Sequence, residues 1–455
     1  MPLPAITPRD KNRERKLLLI LAVTVVVFFG AYLRLGAVRH TVVNHPYRSD
    51  AAEYYRTAYN LNHFGVFSRT IEVVDGKESP PTPDAYRTPV YPLFLTLFVH
   101  EPPNDQTFVT VAFWQALMGV ATVLLVFLLT SRITGPMTGL LAAALVAMSP
   151  HLVNASLYML TETLFTLLLV LSVLVFSLHT RGPRWYLPAL FASGVLMGVT
   201  ALTRPVLEFF PLAIFLLLAL SYPRRQALKG AAVLLLGFAL VWTPWIARNY
   251  ISLGTSGDSG TLLETLAAGV YPDMEYNHDP RFRSEPDHQD PRYMEIKSSV
   301  GSVAEEFWRR VRENPGKEVG WYLVGKPVTL WSWDMTEGGG DAFIYSVIIT
   351  PYATSLPFVI SHALMQTLHW VLVMLALAGC ILVWTPVARR LLVEPPLLLA
   401  RMMSLLLLYN TLVMMIMTPW VRYSIPFLPI QFGMAAVCLT LTYRHFVSRR
   451  TRGEP

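Results

Sequence analysis

Cysteine is nearly missing from this chain. Only Cys380 and Cys438 occur among 455 residues, and both fall inside apolar runs. No disulfide on an outer surface is implied, and no thiol redox chemistry is suggested. Charge is also scarce: 15% of residues are Asp, Glu, Lys or Arg, against 53% hydrophobic. That balance is far more apolar than a soluble globular protein. The sequence shows no internal repeat, no low-complexity tract and no second soluble domain. It has no His-x-x-x-His pair, and the nearest approach to an acidic metal motif is Asp273-Met-Glu275.

The apolar residues come in blocks of about 20, the length that crosses a bilayer. The first, Leu17 to Val38, exceeds a signal-peptide core and lacks a small-residue cleavage site before Asp50, so it reads as a retained transmembrane helix. Further spans are expected at 107–131, 136–150, 161–178, 185–203, 205–222, 228–247, 355–384, 397–418 and 423–443, ten in all. Acids are few where bases collect. Alternate loops carry Arg9, Lys11, Arg13, Arg15 and Lys16, then Arg132, Arg181 and Arg184, Arg224, Arg225 and Lys229, Arg389 and Arg390, and finally Arg444, Arg449, Arg450 and Arg452. The acids of those segments are Asp10, Glu14, Glu394 and Glu454. The positive-inside rule puts both termini in the cytoplasm of a plasma or inner membrane. The net charge of +7 is therefore an orientation signal and not a sign of a nucleic-acid partner. The expectation is an all-α polytopic membrane protein forming one domain over 1–455, with outer segments 40–106 and 248–354.

The first outer segment opens "YRSDAAEYYRTAYNLNHFGVFS" (47–68). Tyr54, Ala58, Leu61 and Phe64 share the spacing of a short amphipathic juxtamembrane helix, and Gly65 is placed to stop it. Asp50 with Glu53 three residues later is a capping-box pattern, so Asp50 is either a helix cap or a group held for chemistry. "AYRTPVYPLFLTLF" (85–98) contains about ten apolar residues, too few to cross, and reads as a re-entrant element with Arg87 at its polar end. Other ionisable residues sit at outer span ends: Glu162 in "YMLTETLF", Arg204 and Glu208 in "ALTRPVLEFF", Arg248 in "PWIARNYISLG" and Arg422 in "PWVRYSIPFLP". Such residues line a cavity or pair with one another, and Arg204 with Glu208 could neutralise each other along a helix. The second outer segment is expected to hold helices at about 291–312 and 316–331, forming a cap.

In this order the pieces resemble the GT-C superfamily of membrane glycosyltransferases, above all its protein mannosyltransferase-like (family 39) and aminoarabinose transferase-like branches. The resemblance rests on the 47–68 stretch, "YRTPVYPLFL", "TETLF", "GVLMGVTALTRP", "RNYISLG" and "RYSIPFLP", together covering nearly the whole chain. It implies transfer of a hexose or pentose from a polyprenyl-phosphate donor to a glycan, lipid or protein acceptor on the outer face. It makes Asp50 the catalytic carboxylate and Glu162 a second acid of the site. Arg87 would face the donor or the catalytic acid, with Glu53 and Tyr54 beside it. Arg204 and Arg248 become candidates for the lipid phosphate, with Arg422 at the last span's outer end. The chain departs from protein mannosyltransferases in having one acid where they have an Asp-Glu pair, and in lacking their soluble repeat domain.

The implied chemistry is self-consistent. A phosphate leaves without being protonated, so one base for the acceptor hydroxyl and positive charge on the phosphate suffice. Arginine suits the phosphate because its fork matches the oxygen geometry. The scheme requires no metal, and a divalent cation stays open. Two other readings are a lipid-linked-glycan flippase, which needs charge at the midplane, and an O-antigen ligase or polymerase. A non-catalytic scaffold is a further, weaker alternative.

Overall fold

The computed structural model describes residues 8–258, 260–276, 289–336 and 338–452. Glu454 and Pro455, at the end expected to be cytoplasmic, lie outside the described residues. Helices stand at all ten places where spans are expected. α1 (Pro8–His40) leads to the side bearing the long polar segments, here termed outer. There α2 (Ser49–Phe64) and α3 (Val90–Leu95) follow. The chain continues through α4 (Asp105–Thr134), α5 (Pro136–Met148), α6 (Pro150–Ala155), α7 (Glu162–Phe176), α8 (Pro183–Ala201), α9 (Phe210–Ser221) and α10 (Arg224–Leu253). α11 (Gly260–Ala268) and α12 (Val300–Glu313) belong to the second outer segment, and α13 (Leu356–Leu382), α14 (Pro396–Ile416) and α15 (Leu428–Arg452) complete the bundle.

Ten helices are not ten equal spans. By length and composition, 7 among the described residues can cross a membrane. α5 is cut to 13 residues by Pro136 and by the Ser149-Pro150 break. At 1.5 Å per residue it reaches about 20 Å, short of a hydrocarbon core of about 30 Å. α9 is shorter still, at 12 residues. α8 has the length but not the apolarity. It packs on α10 through glycines: a Cβ on Gly194 would collide with the Leu234 carbonyl, and one on Gly237 with the Phe191 carbonyl. In their most apolar 18-residue windows, 83% of the residues of the 421–448 stretch are buried against 11% of those of α1, so the core lies around α15 and α1 sits at the edge of the bundle.

The outer segments are organised, not loose. β1 (Val42–Val43) pairs antiparallel with β4 (Val347–Ile349), tying the two segments together. β2 (Glu72–Val74) and β3 (Lys77–Ser79) form a hairpin whose turn, Asp75-Gly76, has both φ positive, as a type I′ turn requires. The expected helix at 291–312 breaks in two, and its main part, α12, begins where the Ser299 hydroxyl accepts the Ser302 N–H at 3.0 Å. The expected 316–331 helix is present as a helical run from Pro315 to Leu330 with one π turn at Trp321–Gly325. These elements close over their own small core of Ala267, Val270, Tyr271, Tyr293, Ile296 and Val303.

Candidate active site

α2 stands at the outer end of α1 because one of its faces is apolar: Ala51, Tyr54, Tyr55 and Ala58 are buried. It ends at Gly65 (φ 66), whose N–H returns to the Leu61 carbonyl. The left-handed geometry is one that glycine adopts without Cβ strain. Asp50 is not the cap of this helix. The N-cap position is Arg48, without a side-chain cap bond, and both Asp50 oxygens are engaged elsewhere. Its Oδ1 accepts from Arg87 Nη2 at 2.6 Å and its Oδ2 from Arg422 Nη2 at 2.7 Å. The capping-box expectation fails because two guanidiniums compete for the carboxylate more strongly than a backbone N–H does.

From Asp50 the charges alternate in both directions. Arg87 Nε donates to Glu53 Oε2 at 2.7 Å, and Glu53 Oε1 accepts from Arg69 at 2.9 Å. On the other side Arg422 Nε donates to Glu162 Oε1 at 3.2 Å, and the same oxygen accepts from Arg204 Nη1 at 3.0 Å. Arg204 therefore pairs with Glu162, not with Glu208 in its own turn. The rings are interleaved with the charges. Arg87 lies over Tyr54 at 5.1 Å, Arg204 over Tyr423 at 4.8 Å and Arg69 over Tyr86 at 3.5 Å. Glu162 is fully buried and its Oε2 has no protein hydrogen bond. Burial by itself would raise the Asp50 pKa, but the guanidiniums of Arg422 and Arg87 outweigh it and hold the carboxyl well below the usual carboxylate range.

Backbone contacts set these positions. The Thr88 hydroxyl donates to the Thr203 carbonyl at 3.0 Å and the Val90 N–H to the Leu202 carbonyl at 3.1 Å, docking the Arg87 loop on the turn that carries Arg204. Tyr91 donates to Gln115 Oε1, and Gln115 Nε2 donates to the Ser156 and Tyr158 carbonyls, which steadies the stretch leading to Glu162. Glu162 opens α7, where the helix dipole favours an acid.

Of the residues singled out in the sequence, Asp50, Glu53, Tyr54, Arg87, Glu162, Arg204 and Arg422 meet in this one cluster. Arg248 does not. Its Nη1 donates to the Asp84 carbonyl at 2.7 Å and its Nη2 to the Phe67 carbonyl at 3.1 Å, so it clamps the outer loop between them. Arg69, Tyr86 and Tyr423 join the site without having been signalled by spacing. Tyr423 could have been found from its place beside Arg422, whereas Arg69 arrives only through the loop that Asp84 and Arg248 pin. Among the described residues no three His, Cys, Asp or Glu side chains group to hold a metal ion. The carboxylates of the cluster face guanidiniums. The Asp273-Met-Glu275 stretch lies in the cap, with Asp273 at φ 57 and Met274 at φ 58.

Residues 86–247, just over a third of the chain, match the family described as dolichyl-phosphate-mannose-protein mannosyltransferase, and this stretch includes Arg87, Glu162 and Arg204. No curated protein matches. Among solved structures, the archaeal oligosaccharyltransferase AglB from Archaeoglobus fulgidus, in complex with an inhibitory peptide and a dolichol-phosphate, is 15% identical with a TM-score of 0.52, over 96% of this chain and 52% of that one. The same organism's oligosaccharyltransferase tethered with an acceptor peptide is 13% identical with a TM-score of 0.54, over 94% of this chain and 50% of that one. ArnT from Cupriavidus metallidurans, bound to undecaprenyl phosphate, is 13% identical over 95% of this chain and 78% of that one, with a TM-score of 0.39. The chain spans about half the length of the oligosaccharyltransferase structures it matches. Over 94–96% of its length the chain has the GT-C fold of these oligosaccharyltransferase structures.

Proposed function

We propose that this protein is a glycosyltransferase that moves a sugar from a polyprenyl-phosphate donor to an acceptor hydroxyl at the outer membrane face. The observation that carries the reading is the alternating array Arg69–Glu53–Arg87–Asp50–Arg422–Glu162–Arg204 at the outer helix ends. A transporter moving a charged lipid glycan would need such groups near the midplane, and these lie at helix termini.

In the reaction, Asp50 takes the proton of the acceptor hydroxyl as its oxygen forms the bond to the anomeric carbon. The bond from that carbon to the phosphate oxygen breaks, and the lipid phosphate leaves with its charge held by arginine. Asp50 as it stands, with an arginine on each oxygen, is a weak base. A donor phosphate competes for those guanidiniums, and each one drawn away makes Asp50 more basic. Arg204, Arg87 and Arg422 are the phosphate candidates, since Arg248 is committed to backbone carbonyls.

The test uses purified protein in nanodiscs with a polyprenyl-phosphate sugar. Free polyprenyl phosphate should accumulate only when acceptor is added. Release of none, with movement of intact donor between leaflets, would replace the transferase by a flippase.

A further inference from the structure

The end of the bundle opposite the Asp50 cluster carries a feature that sugar transfer does not use. Two adjoining cavities, of about 410 and 670 Å³, open there and share His179, Thr180, Pro395 and Leu398 as walls. They lie among the inner ends of α7, α8, α10 and α14. Arg132, Arg181, Arg225 and Lys229 line them, against one carboxylate, Glu394. That carboxylate is occupied: its Oε2 accepts the Leu398 N–H at 3.0 Å, and its Oε1 lies 3.9 Å from Arg401. The polar wall is built in place, with His179 Nε2 and the Tyr222 hydroxyl 3.0 Å apart and His179 almost fully buried. Phe176, Leu187 and Leu399 supply apolar lining next to the cationic mouth.

We propose that this cavity binds the headgroup of an anionic phospholipid from the leaflet on that side. A phosphodiester fits the cationic mouth, the hydroxyls of a glycerol headgroup fit Tyr222 and Thr180, and the acyl chains continue along the apolar walls. Each volume falls within the range of small-molecule sites and has room for a headgroup, whereas a free phosphate would leave most of it empty. Basic pockets between helices at the membrane surface bind such headgroups, each Lys or Arg near the surface strengthening binding roughly fivefold.

The test is native mass spectrometry of the full chain from nanodiscs of equal phosphatidylglycerol and phosphatidylcholine. Wild type should retain phosphatidylglycerol in clear excess. R181Q/K229Q should lose most of that excess, while R389A/R390A, two bases on the same face outside the cavity, should keep it. T180W, which fills the shared waist and removes no charge, should also release the lipid, and it carries the test if the double variant does not fold. Equal retention of the two lipids by wild type, or loss in R389A/R390A as large as in R181Q/K229Q, overturns the proposal. Displacement of the lipid by excess inorganic phosphate alone would make this a soluble-phosphate site and overturn it as well. The readout is lipid retention, so sugar transfer can fail or succeed independently.

Discussion

Asp50 is the residue on which most depends. Asp50→Asn keeps the shape of the side chain and removes the charge facing Arg87 and Arg422. Transfer should fall at least the roughly hundredfold expected for losing a general base. Glu53→Gln, one pair further out, should cost much less. If Asp50→Asn keeps more than about a tenth of wild-type turnover, the base lies elsewhere, first at Glu162. The same variant has a stability signature. Because the folded Asp50 pKa is depressed, its stabilisation is present above the unfolded value of about 3.9 and is lost as pH falls through the lower folded value. Wild type should therefore exceed Asp50→Asn in unfolding temperature at pH 6, and the gap should narrow below about pH 4. At the phosphate, Arg204→Ala should raise the apparent donor KM tenfold or more, the loss of a charge-assisted contact of about 1.5–3 kcal/mol. Arg204→Lys should recover part of it, since the fork is lost.

At the scale of elements, two of the ties between the outer segments and the bundle carry distinct expectations. Arg248, at the outer end of α10, holds the loop through Phe67 and Asp84. Arg248→Ala should leave donor affinity closer to wild type than Arg204→Ala does and should speed hydrogen exchange across residues 66–84. A tenfold donor effect with unchanged exchange would return Arg248 to the phosphate. The second tie is Lys326. It is fully buried, its Nζ donating to the Met417 carbonyl at 2.8 Å and the Ile416 carbonyl at 3.3 Å, which closes the end of α14 against the cap. Burial lowers its pKa to about 7. Between that value and the unfolded value of about 10.4 the unfolded chain binds more protons, so stability rises with pH across this window. Unfolding temperatures measured from pH 7 to 9 should climb more steeply for wild type than for Lys326→Met. Parallel profiles would show that Lys326 does not titrate there.

For the whole molecule, the arrangement of bases sets an orientation that a reporter can read. An enzyme fusion after Pro455 should report cytoplasmic, and an insertion near Gly339 external. An external C-terminus would put the Asp50 cluster on the wrong side for an extracytoplasmic donor. The cap has its own small core and further hydrogen bonds to the bundle, such as Thr418 to the Thr265 carbonyl, so it should survive as a unit when the Lys326 contact is cut. Its protection from proteolysis in Lys326→Met measures this.

Much of this architecture is legible in one dimension. Apolar block length and the placement of Lys and Arg depend on the bilayer, a solvent with fixed thickness and fixed sidedness. The sequence by itself therefore determined ten helix positions, the long outer segments, the α2 helix with its stop at Gly65, and most members of the candidate site. Three matters needed the tertiary structure. That α5 and α9 are shorter than the other spans, and that α8 packs on α10 through glycines, follows from where the proline breaks and helix contacts fall. Which acid meets which arginine is set where the ends of distant helices converge, so Arg204 takes Glu162 across 42 residues and Arg422 takes Asp50 across 372. Asp50 looked like a cap because a local pattern is all that spacing can show. Its partners come from 37 and 372 residues away, and the strength of charge-assisted contacts in a partly buried place decided the matter.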